Sequence, residues 1–183
     1  EDESKEKKRL FVFKFLMFSA MNLLINFFLM DIDEIEEIKS SDFYLVVDII
    51  NESKLIDEQL LDLENAISFL KSKLDRNKAK IFVKNENGIP IAFMVLYHKV
   101  NVLSLIHYNW HVSYLYVKPE HRGKHIGKQI MLKCIDYARK TKVDHISLNT
   151  DTENYPAQQL YEGFGFNRKN FISNYYYYEM KLN

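Results

Sequence analysis

The sequence predicts an α/β fold in which a mixed β-sheet contains at least one parallel pair of strands. A β-branched and aromatic run at residues 111–117 precedes an amphipathic helix at residues 126–141 and a short strand at residues 145–149. A strand, a helix and a second strand in this order form a parallel unit, because a parallel connection needs a crossover. A short helix at Tyr155–Gly163 and a last strand at residues 175–182 complete the second half.

The first half of the chain is expected to add one strand and two helices. Three isoleucines separated by acidic residues at positions 32–38 suit a short strand. The Ser-Ser-Asp sequence at residues 40–42 offers side-chain oxygens as the N-cap of a following helix. Leucine and isoleucine at three- and four-residue spacing predict a second amphipathic helix at residues 56–74.

A β-hairpin follows these helices. Residues 80–84 and 89–97 are typical β-runs, and the Asn87–Gly88 dipeptide between them strongly favours a tight turn. We expect residues 98–110 to form a loop or an irregular extension of a strand. Its aromatic part, residues 103–110, either lines a substrate pocket or covers the edge of the sheet.

Composition indicates one folded domain, residues 31–183, without a strong charge of its own. The chain has 183 residues, of which 47% are hydrophobic, and its 25 basic and 25 acidic residues cancel. This balance gives no support for a nucleic-acid partner or a general membrane-surface role. The single cysteine, Cys134, excludes a disulfide framework and indicates a cytoplasmic protein. His121 and His125 lack a third ligand at a convincing distance, so no metal is predicted.

The first thirty residues pose a separate question. Residues 1–9 are a charged run, and residues 10–30 are mostly apolar and long enough to span a bilayer. Three interpretations stay open: an extension upstream of a start at Met21 or Met30, a membrane anchor, and an amphipathic or core helix. Only the second would bring the chain to a membrane.

The strongest motif is a basic, glycine-containing turn that joins the strand at residues 111–117 to the next helix. Pro119 ends the strand, and the helix begins directly after the turn, so backbone N–H groups and the positive end of the helix dipole point at one place. Gly123 and Gly127 allow the backbone to approach a ligand closely. Three basic side chains add charge: Arg122, Lys124 and Lys128. The pattern predicts a pyrophosphate site; the alternative is a basic turn that caps an ordinary helix.

The turn Arg122-Gly-Lys-His-Ile-Gly127 resembles the acetyl-CoA loop of the GNAT superfamily of N-acetyltransferases, usually written R/Q-x-x-G-x-G/A. His125 departs from that pattern, since it stands at the family's middle glycine and a histidine disfavours a positive φ. We therefore expect a slightly remodelled loop or a reduced cofactor affinity. The resemblance assigns these residues to acetyl-CoA: Leu115, Tyr116, Val117, Arg122, Gly123, Lys124, His125, Ile126, Gly127, Lys128 and Asn154.

A second segment, residues 154–166, resembles the family's N-x-x-A-x-x-L-Y-E-x-x-G-F stretch. In that family the asparagine contacts the pantetheine arm and the tyrosine faces the thioester sulfur, which implies these roles for Asn154 and for Tyr161 as general acid. The resemblance covers residues 80–182 well. It implies a mostly antiparallel twisted sheet, flanked by about four helices, whose central parallel pair splays at the cofactor site.

The implied activity is transfer of an acetyl group from acetyl-CoA to a primary amine by direct attack in a ternary complex. The acceptor classes that fit are small amines, polyamines and exposed lysines, and a homodimer is compatible with the fold. A lysine amine, with a pKa of roughly 10.4, must lose a proton before it attacks. The tetrahedral oxyanion needs N–H donors already in place, which the resemblance assigns to the backbone of residues 115–117.

The general base and one alternative function stay open. Four residues belong to or flank the central strands and are candidates for the base: Glu120, His111, His98 and Tyr114. Of these we take Glu120 as the candidate general base; the alternative is that water deprotonates the amine. The alternative function is a non-catalytic acyl-CoA sensor of the same fold, which His125 favours and which Asn154 and Tyr161 oppose.

Overall fold

The computed structural model describes residues 34–53, 63–101 and 107–182, together with Met17. The three interpretations of residues 1–30 therefore lie outside the described residues. The same holds for the first part of the helix expected at residues 56–74. The strands and helices described below belong to one unit, residues 35–183.

Seven strands of the described chain form one sheet in the order β1-β2-β3-β4-β5-β7-β6. Neighbouring strands are antiparallel except β4 and β5, which run parallel with His111 opposite Ser147. This arrangement confirms the predicted mixed, mostly antiparallel sheet with one central parallel pair. The strands are β1 (Ile35–Ile38), β2 (Ala79–Glu86), β3 (Ile89–Asn101), β4 (His107–Val117), β5 (His145–Asp151), β6 (Asn167–Ile172) and β7 (Tyr175–Lys181).

Helices cover both faces of this sheet. The described α-helices are α1 (Val47–Glu52), α2 (Leu63–Asp75), α3 (Ile126–Lys140) and α4 (Tyr155–Gly163), with short 3-10 helices at Ser40–Val46 and Pro119–His121. Buried residues of α3 and α4 pack on one face, which we call the α3 face. Buried residues of α1 and α2 pack on the opposite face, which we call the α2 face. The described helices thus enclose the sheet in three layers.

Helix α3 packs its apolar side against the middle of the sheet, because its apolar residues recur at helical spacing. Ile130, Cys134 and Ala138 lie four residues apart and are completely buried. The helix ends at Thr141, whose hydroxyl accepts a hydrogen bond of 2.8 Å from the indole nitrogen of Trp110 in β4. This contact holds the C-terminal end of α3 on β4. The other end of β4 lies near the first turn of the same helix.

The expected N-cap at residues 40–42 is wrong. These residues lie inside the 3-10 helix, whose N-cap is Lys39, and no side chain caps it. The Ser40 hydroxyl instead donates a hydrogen bond to the carboxylate of Asp75, the last residue of α2. The serine is thus used in a tertiary contact that local sequence does not reveal.

The loop alternative for residues 98–110 is also wrong for the described part of that segment. Strand β3 continues to Asn101 and β4 begins at His107, with paired residues from Tyr97 and His111 out to the ends. The strand pattern was obscured because Asn109 is polar yet buried. Residues 102–106 lie outside the description.

Strand β6 was not predicted. All of its residues, Asn167–Ile172, are exposed, so no alternation of apolar and polar residues marks it. It pairs only with β7, and the Arg168 guanidinium stacks 3.8 Å from the ring centre of Tyr176 on that neighbour. A fully exposed edge strand of this kind carries little hydrophobic signal.

Candidate active site

The parallel pair of strands opens into a fork at the middle of the sheet. Paired residues run from Asn109 opposite His145 to Val112 opposite Leu148, and pairing stops there. Strand β4 nevertheless continues for five residues, and β5 for three, beyond that last pair. The two strands therefore leave a gap between them. Within the described sheet, the β4 backbone groups that point into this gap have no strand partner. We call this gap the fork.

A β-bulge lies at the base of the fork. Val95 in β3 pairs with Tyr114 and the next residue, Leu96, pairs with Val112, so Ser113 is the extra residue. As a result Val112 and Leu115 lie on the same face, so residues 111–117 do not alternate regularly between the two faces. Tyr114 and Tyr116 pack on the α2 face, while Leu115 and Val117 pack on the α3 face. No sequence pattern marks a bulge at a serine.

The basic turn leads directly into the first turn of α3, beside the fork. The N-cap residue His125 has φ 61° and ψ 11°, and Gly123 has φ 76°, so both adopt the left-handed conformation. His125 thus adopts a conformation that a histidine disfavours, and the expected effects on the loop and on cofactor affinity stay predictions. A non-glycine residue there costs about 1–2 kcal/mol. The first intrahelical bond runs from Gln129 N to His125 O, and the N–H groups of the first helical turn precede it.

Arg122 ties this turn to the end of β4. Its Nε donates a 3.0 Å hydrogen bond to the Val117 carbonyl, and its guanidinium lies 6.0 Å from the ring centre of Tyr116. Glu52, at the end of α1, accepts from Lys118 at 2.9 Å and from the Tyr116 hydroxyl at 3.4 Å. Sequence reasoning missed Glu52, because no local pattern links residue 52 to residue 116.

Gly127 lies where three elements meet. A Cβ built on it would lie 3.8 Å from Leu160 of α4, 3.9 Å from Leu115 and 4.0 Å from Val117 of β4. The structure thus brings the first turn of α3, the end of β4 and α4 to one wall of the fork. The left-handed turn, Gly127 and the N-terminus of α3 therefore lie together beside the fork, and the pyrophosphate site at this turn stays a prediction.

Asn154 begins α4 and is held there by its own side chain. Its Oδ1 accepts a 3.2 Å hydrogen bond from Ala157 N, which makes it the N-cap of the helix. Among the described residues, none bonds to its side-chain amide nitrogen, so this donor is accessible to a ligand. The capping role explains an asparagine at this position by itself, so the pantetheine contact stays a prediction.

Tyr161 projects from α4 into the α3 face. It is 7% exposed, and its ring lies against the rings of Phe166 and Tyr178. Burial raises the pKa of its hydroxyl to about 12, with a smaller effect of Cys134. Within the described ranges no residue hydrogen-bonds to this hydroxyl. A protonated phenol without a protein partner is a suitable donor to a ligand atom.

The four candidate bases occupy different environments. Glu120 is in the 3-10 helix Pro119–His121, with a 63% exposed side chain, 4.0 Å from His121. His98 lies on the α3 face with its ring 5.1 Å from that of Trp110; burial and then Lys78 lower its pKa. Tyr114 is half-buried on the α2 face. The structure does not bring these three together.

His111, the fourth candidate, belongs to a buried polar network across the parallel pair. Its Nδ1 lies 2.9 Å from the Ser147 hydroxyl, which also accepts a 2.6 Å bond from the Asn109 amide. Burial and the charge of Lys99 lower the pKa of His111 to about 4. The imidazole is therefore neutral at physiological pH, and the network lies on the α2 face, opposite Tyr161. Sequence reasoning did not find Asn109 or Ser147.

The described residues were also searched for groups of metal ligands and for membrane-spanning helices. Across the described ranges, no three His, Cys, Asp or Glu side chains are grouped as metal ligands would be. No helix in that part of the chain has the length and apolar character needed to cross a membrane.

Comparisons with known proteins agree with this arrangement. The acetyltransferase (GNAT) family profile matches residues 32–166. An uncharacterized N-acetyltransferase of Bacillus subtilis (strain 168), YhfO, is 30% identical over 132 residues, which are 72% of this chain and 88% of the relative. N-alpha-acetyltransferase 30 of Saccharomyces cerevisiae is 33% identical over 99 residues, 52% of this chain and 55% of the relative. The crystal structure of the NatC complex bound to Gag peptide and CoA superposes with a TM-score of 0.58 at 25% identity, covering 82% of this chain and 99% of that chain.

The family match spans β1 to α4 and therefore includes the fork, the basic turn and the helix that carries Tyr161. It confirms the resemblance drawn from the two motifs and the enzyme class that the resemblance implied. The NatC structure also holds CoA, the cofactor that the turn predicted. The chain belongs to the acetyltransferase (GNAT) family, and is an acyltransferase of the acetyl-CoA-dependent N-acetyltransferase type.

Proposed function

We propose that this chain transfers the acetyl group of acetyl-CoA to a primary amine by direct attack at the fork. The observation that carries this proposal is the end of β4–β5 pairing at Val112 and Leu148, beyond which β4 continues to Leu115 and Val117 beside the first turn of α3. The cofactor would lie with its pyrophosphate on the turn at residues 122–128 and its thioester in the fork. The amine would approach from the α2 face, because Tyr161, which would face the leaving sulfur, lies on the α3 face.

The unpaired edge of β4 would stabilise the negative charge that develops on the thioester oxygen during the reaction. Backbone N–H groups in residues 115–117 have no partner strand on the β5 side, so they can donate to the thioester carbonyl. Donors fixed in a strand need no reorganisation as negative charge develops on that oxygen. The side-chain amide of Asn154 would donate to a carbonyl of the pantetheine arm.

Tyr161 would donate a hydrogen bond to the sulfur as the carbon–sulfur bond breaks. Its pKa of about 12 keeps the hydroxyl protonated through the physiological range. A thiol has a pKa of roughly 8.5, so complete transfer from the phenol to a free thiolate would be unfavourable. A hydrogen bond that strengthens as charge builds on sulfur is the form of acid catalysis that this burial favours. The amine releases one proton as it is acetylated, and the CoA thiolate takes up one proton to become the thiol.

None of the described residues is placed as an evident base, which favours acceptors that lose their proton easily. Glu120 is exposed, and the Nδ1 of His111 already contacts Ser147. At pH 7.5 roughly a third of a peptide α-amine of pKa about 7.8 is unprotonated, against roughly 0.1% of a lysine amine. Two of the similar proteins also point to peptides: one is N-alpha-acetyltransferase 30, and the other is the NatC complex bound to Gag peptide. A polypeptide α-amine is therefore a second acceptor class, beside small amines, polyamines and lysines.

The test is an assay of CoA release against a panel of amines. The panel pairs one peptide with its α-amine free and the same peptide blocked there but containing lysine, and adds polyamines, aminoglycosides and amino acids. We expect release with at least one primary amine and a product that gains one acetyl group. Stabilisation by acetyl-CoA in a thermal-shift titration without release for any amine would instead support the sensor function.

A further inference from the structure

A row of hydrogen bonds crosses three strands on the α2 face, beginning at the base of the fork. Its first member is His111, which is buried and precedes Val112, the last residue of β4 that pairs with β5. The His111 Nδ1 lies 2.9 Å from the Ser147 hydroxyl on β5. On β7, Glu179 is opposite Ser147 and accepts a 2.7 Å hydrogen bond from the Tyr177 hydroxyl. We call these residues the His111 network: His111, Ser147, Tyr177 and Glu179.

The direction of each hydrogen bond in the His111 network follows from its last member. An ionised carboxylate only accepts, so the Tyr177 O–H is donated to Glu179 and the phenol oxygen keeps its lone pairs for another donor. Ser147 is that donor: burial and then Glu179 raise the pKa of Tyr177 to about 12, while a hydrogen bond from Ser147 lowers it. A serine has a single hydroxyl hydrogen. The Ser147 oxygen therefore accepts from its other two neighbours, the Asn109 amide at 2.6 Å and the His111 Nδ1.

This direction fixes the tautomer of His111. The ring proton is on Nδ1, where it is donated to Ser147, and the lone pair is on Nε2. Nε2 lies farther from the β4 backbone than Nδ1 does, and no described residue bonds to it. Burial and then the charge of Lys99 lower the pKa of His111 to about 4, so this lone pair stays unprotonated at physiological pH.

His111 lies on the side of the fork from which the amine would approach. Its neighbours Trp110 and Val112 pack on the α3 face, so its own side chain is on the α2 face. On β3, Tyr97 is opposite His111 and Met94 is opposite Leu115, a separation of three residues or about 10 Å. The imidazole covers part of this distance, and one water molecule would bridge the rest.

We propose that the His111 network holds the Nε2 lone pair toward the acceptor, where it accepts a hydrogen bond from the attacking amine, directly or through one water. This inference rests on the proposed function, since it adds a residue to that reaction. The amine nitrogen becomes positive as it attacks and its N–H becomes a stronger donor, so this hydrogen bond stabilises the transition state more than the free amine. Ser147, Tyr177 and Glu179 do not touch the amine and are positioning residues.

The low pKa of His111 sets the limit of its role. An imidazolium is unfavourable at this site, so His111 does not keep the proton that the amine loses, and that proton passes to water. His111 thus orients the amine and stabilises its developing charge without acting as the final base.

NMR of the isotope-labelled protein tests the tautomer without any turnover. Two-bond proton–nitrogen correlations distinguish a proton on Nδ1 from one on Nε2, and the variant His111→Asn assigns the signal. We expect the Nδ1–H form in the wild type. Tyr177→Phe keeps the ring but frees the Ser147 hydrogen to donate to Nδ1, so it should shift His111 to the Nε2–H form. Tyr176→Phe, on the α3 face of the same strand, is the matched control and should retain the wild-type tautomer.

Steady-state kinetics tests the role in the reaction. His111→Asn keeps a polar group near the position of Nδ1 and removes the acceptor at Nε2, so kcat/KM for the amine should fall about tenfold, equivalent to about 1.4 kcal/mol. Tyr177→Phe should lose part of the same activity, because the Nε2–H form offers no lone pair, and Tyr176→Phe should lose none. The Kd for acetyl-CoA should stay the same in all three variants, and urea denaturation measures whether each is folded.

The outcomes separate this inference from the proposed function. An Nε2–H tautomer in the wild type would refute the hydrogen-bond direction and the inference. Wild-type kcat/KM in both His111→Asn and Tyr177→Phe would show that the network is structural, and would overturn the inference while the proposed function stands. A wild type that binds acetyl-CoA but acetylates no amine would refute the proposed function and this inference with it.

Discussion

Replacing Gly127 with alanine should stabilise the free protein and weaken its binding of acetyl-CoA. The added Cβ would meet three apolar atoms, all at 3.8–4.0 Å, which is ordinary van der Waals distance, so the free protein can accept it. Alanine in place of a helical glycine contributes up to about 1 kcal/mol. For a chain of this size, that gain raises Tm by about 2–4 °C.

The same methyl group would lie at the turn, residues 122–128, on which we place the pyrophosphate. Inserting a methyl group into a close-packed contact costs about 1–3 kcal/mol, which corresponds to about a 5- to 150-fold increase in Kd. Thermal denaturation without cofactor and calorimetric titration with acetyl-CoA measure the two effects separately. Gly163→Ala is the matched control, because a Cβ at that glycine of α4 would meet nothing within 4 Å. A Gly127→Ala protein that is more stable but binds acetyl-CoA as tightly as the wild type would refute the placement of the cofactor.

Three other predictions follow from single side chains. Tyr161→Phe should lower kcat by about 100-fold or more with little change in the KM for acetyl-CoA, because the ring contacts remain; unchanged turnover in steady-state assays would exclude the acid role. His111, with its pKa lowered to about 4, should remain neutral in NMR titration down to about pH 5, and a midpoint near 6.5 would contradict its burial. The pKa of His111 is lower in the folded protein than in the unfolded chain. Neutral His111 therefore stabilises the fold fully above pH 6.5, and about 3 kcal/mol of the free energy of unfolding is lost as the pH falls toward 4. Thr141→Val should cost about 1–3 kcal/mol in urea denaturation, since it leaves the buried Trp110 indole N–H without its acceptor; a smaller loss would show that water replaces the hydroxyl.

The fold class was predictable because its signals are local. The apolar stripe of α3, the Asn-Gly turn between β2 and β3, and the strand–helix–strand order each depend on residues close in sequence. The turn before α3 was predictable for the same reason, since Gly123, Gly127 and the basic residues all lie close together in sequence; its phosphate-binding role stays a prediction. What local sequence could not show is that His125 accepts the left-handed conformation, because that depends on the packing of the helix behind it.

The missed features all depend on contacts between distant residues. The bulge at Ser113 arises from the register of β3 against β4, and the hydrogen bond of Ser40 goes to a residue of another helix. Asn109 and His111 are both buried and polar, and Asn109 looks like a loop residue in sequence because it interrupts the strand pattern. Their partner Ser147 comes from β5, and only the parallel pairing brings it to them.

A crystal structure of the protein with acetyl-CoA tests the central claim most directly. We predict that the thioester lies between the ends of β4 and β5, with its carbonyl oxygen at the backbone N–H groups of residues 115–117. Its sulfur should lie within hydrogen-bonding distance of the Tyr161 hydroxyl, and its pyrophosphate on the turn before α3. A thioester bound outside the fork, or a sulfur directed away from Tyr161, would contradict this account of the enzyme.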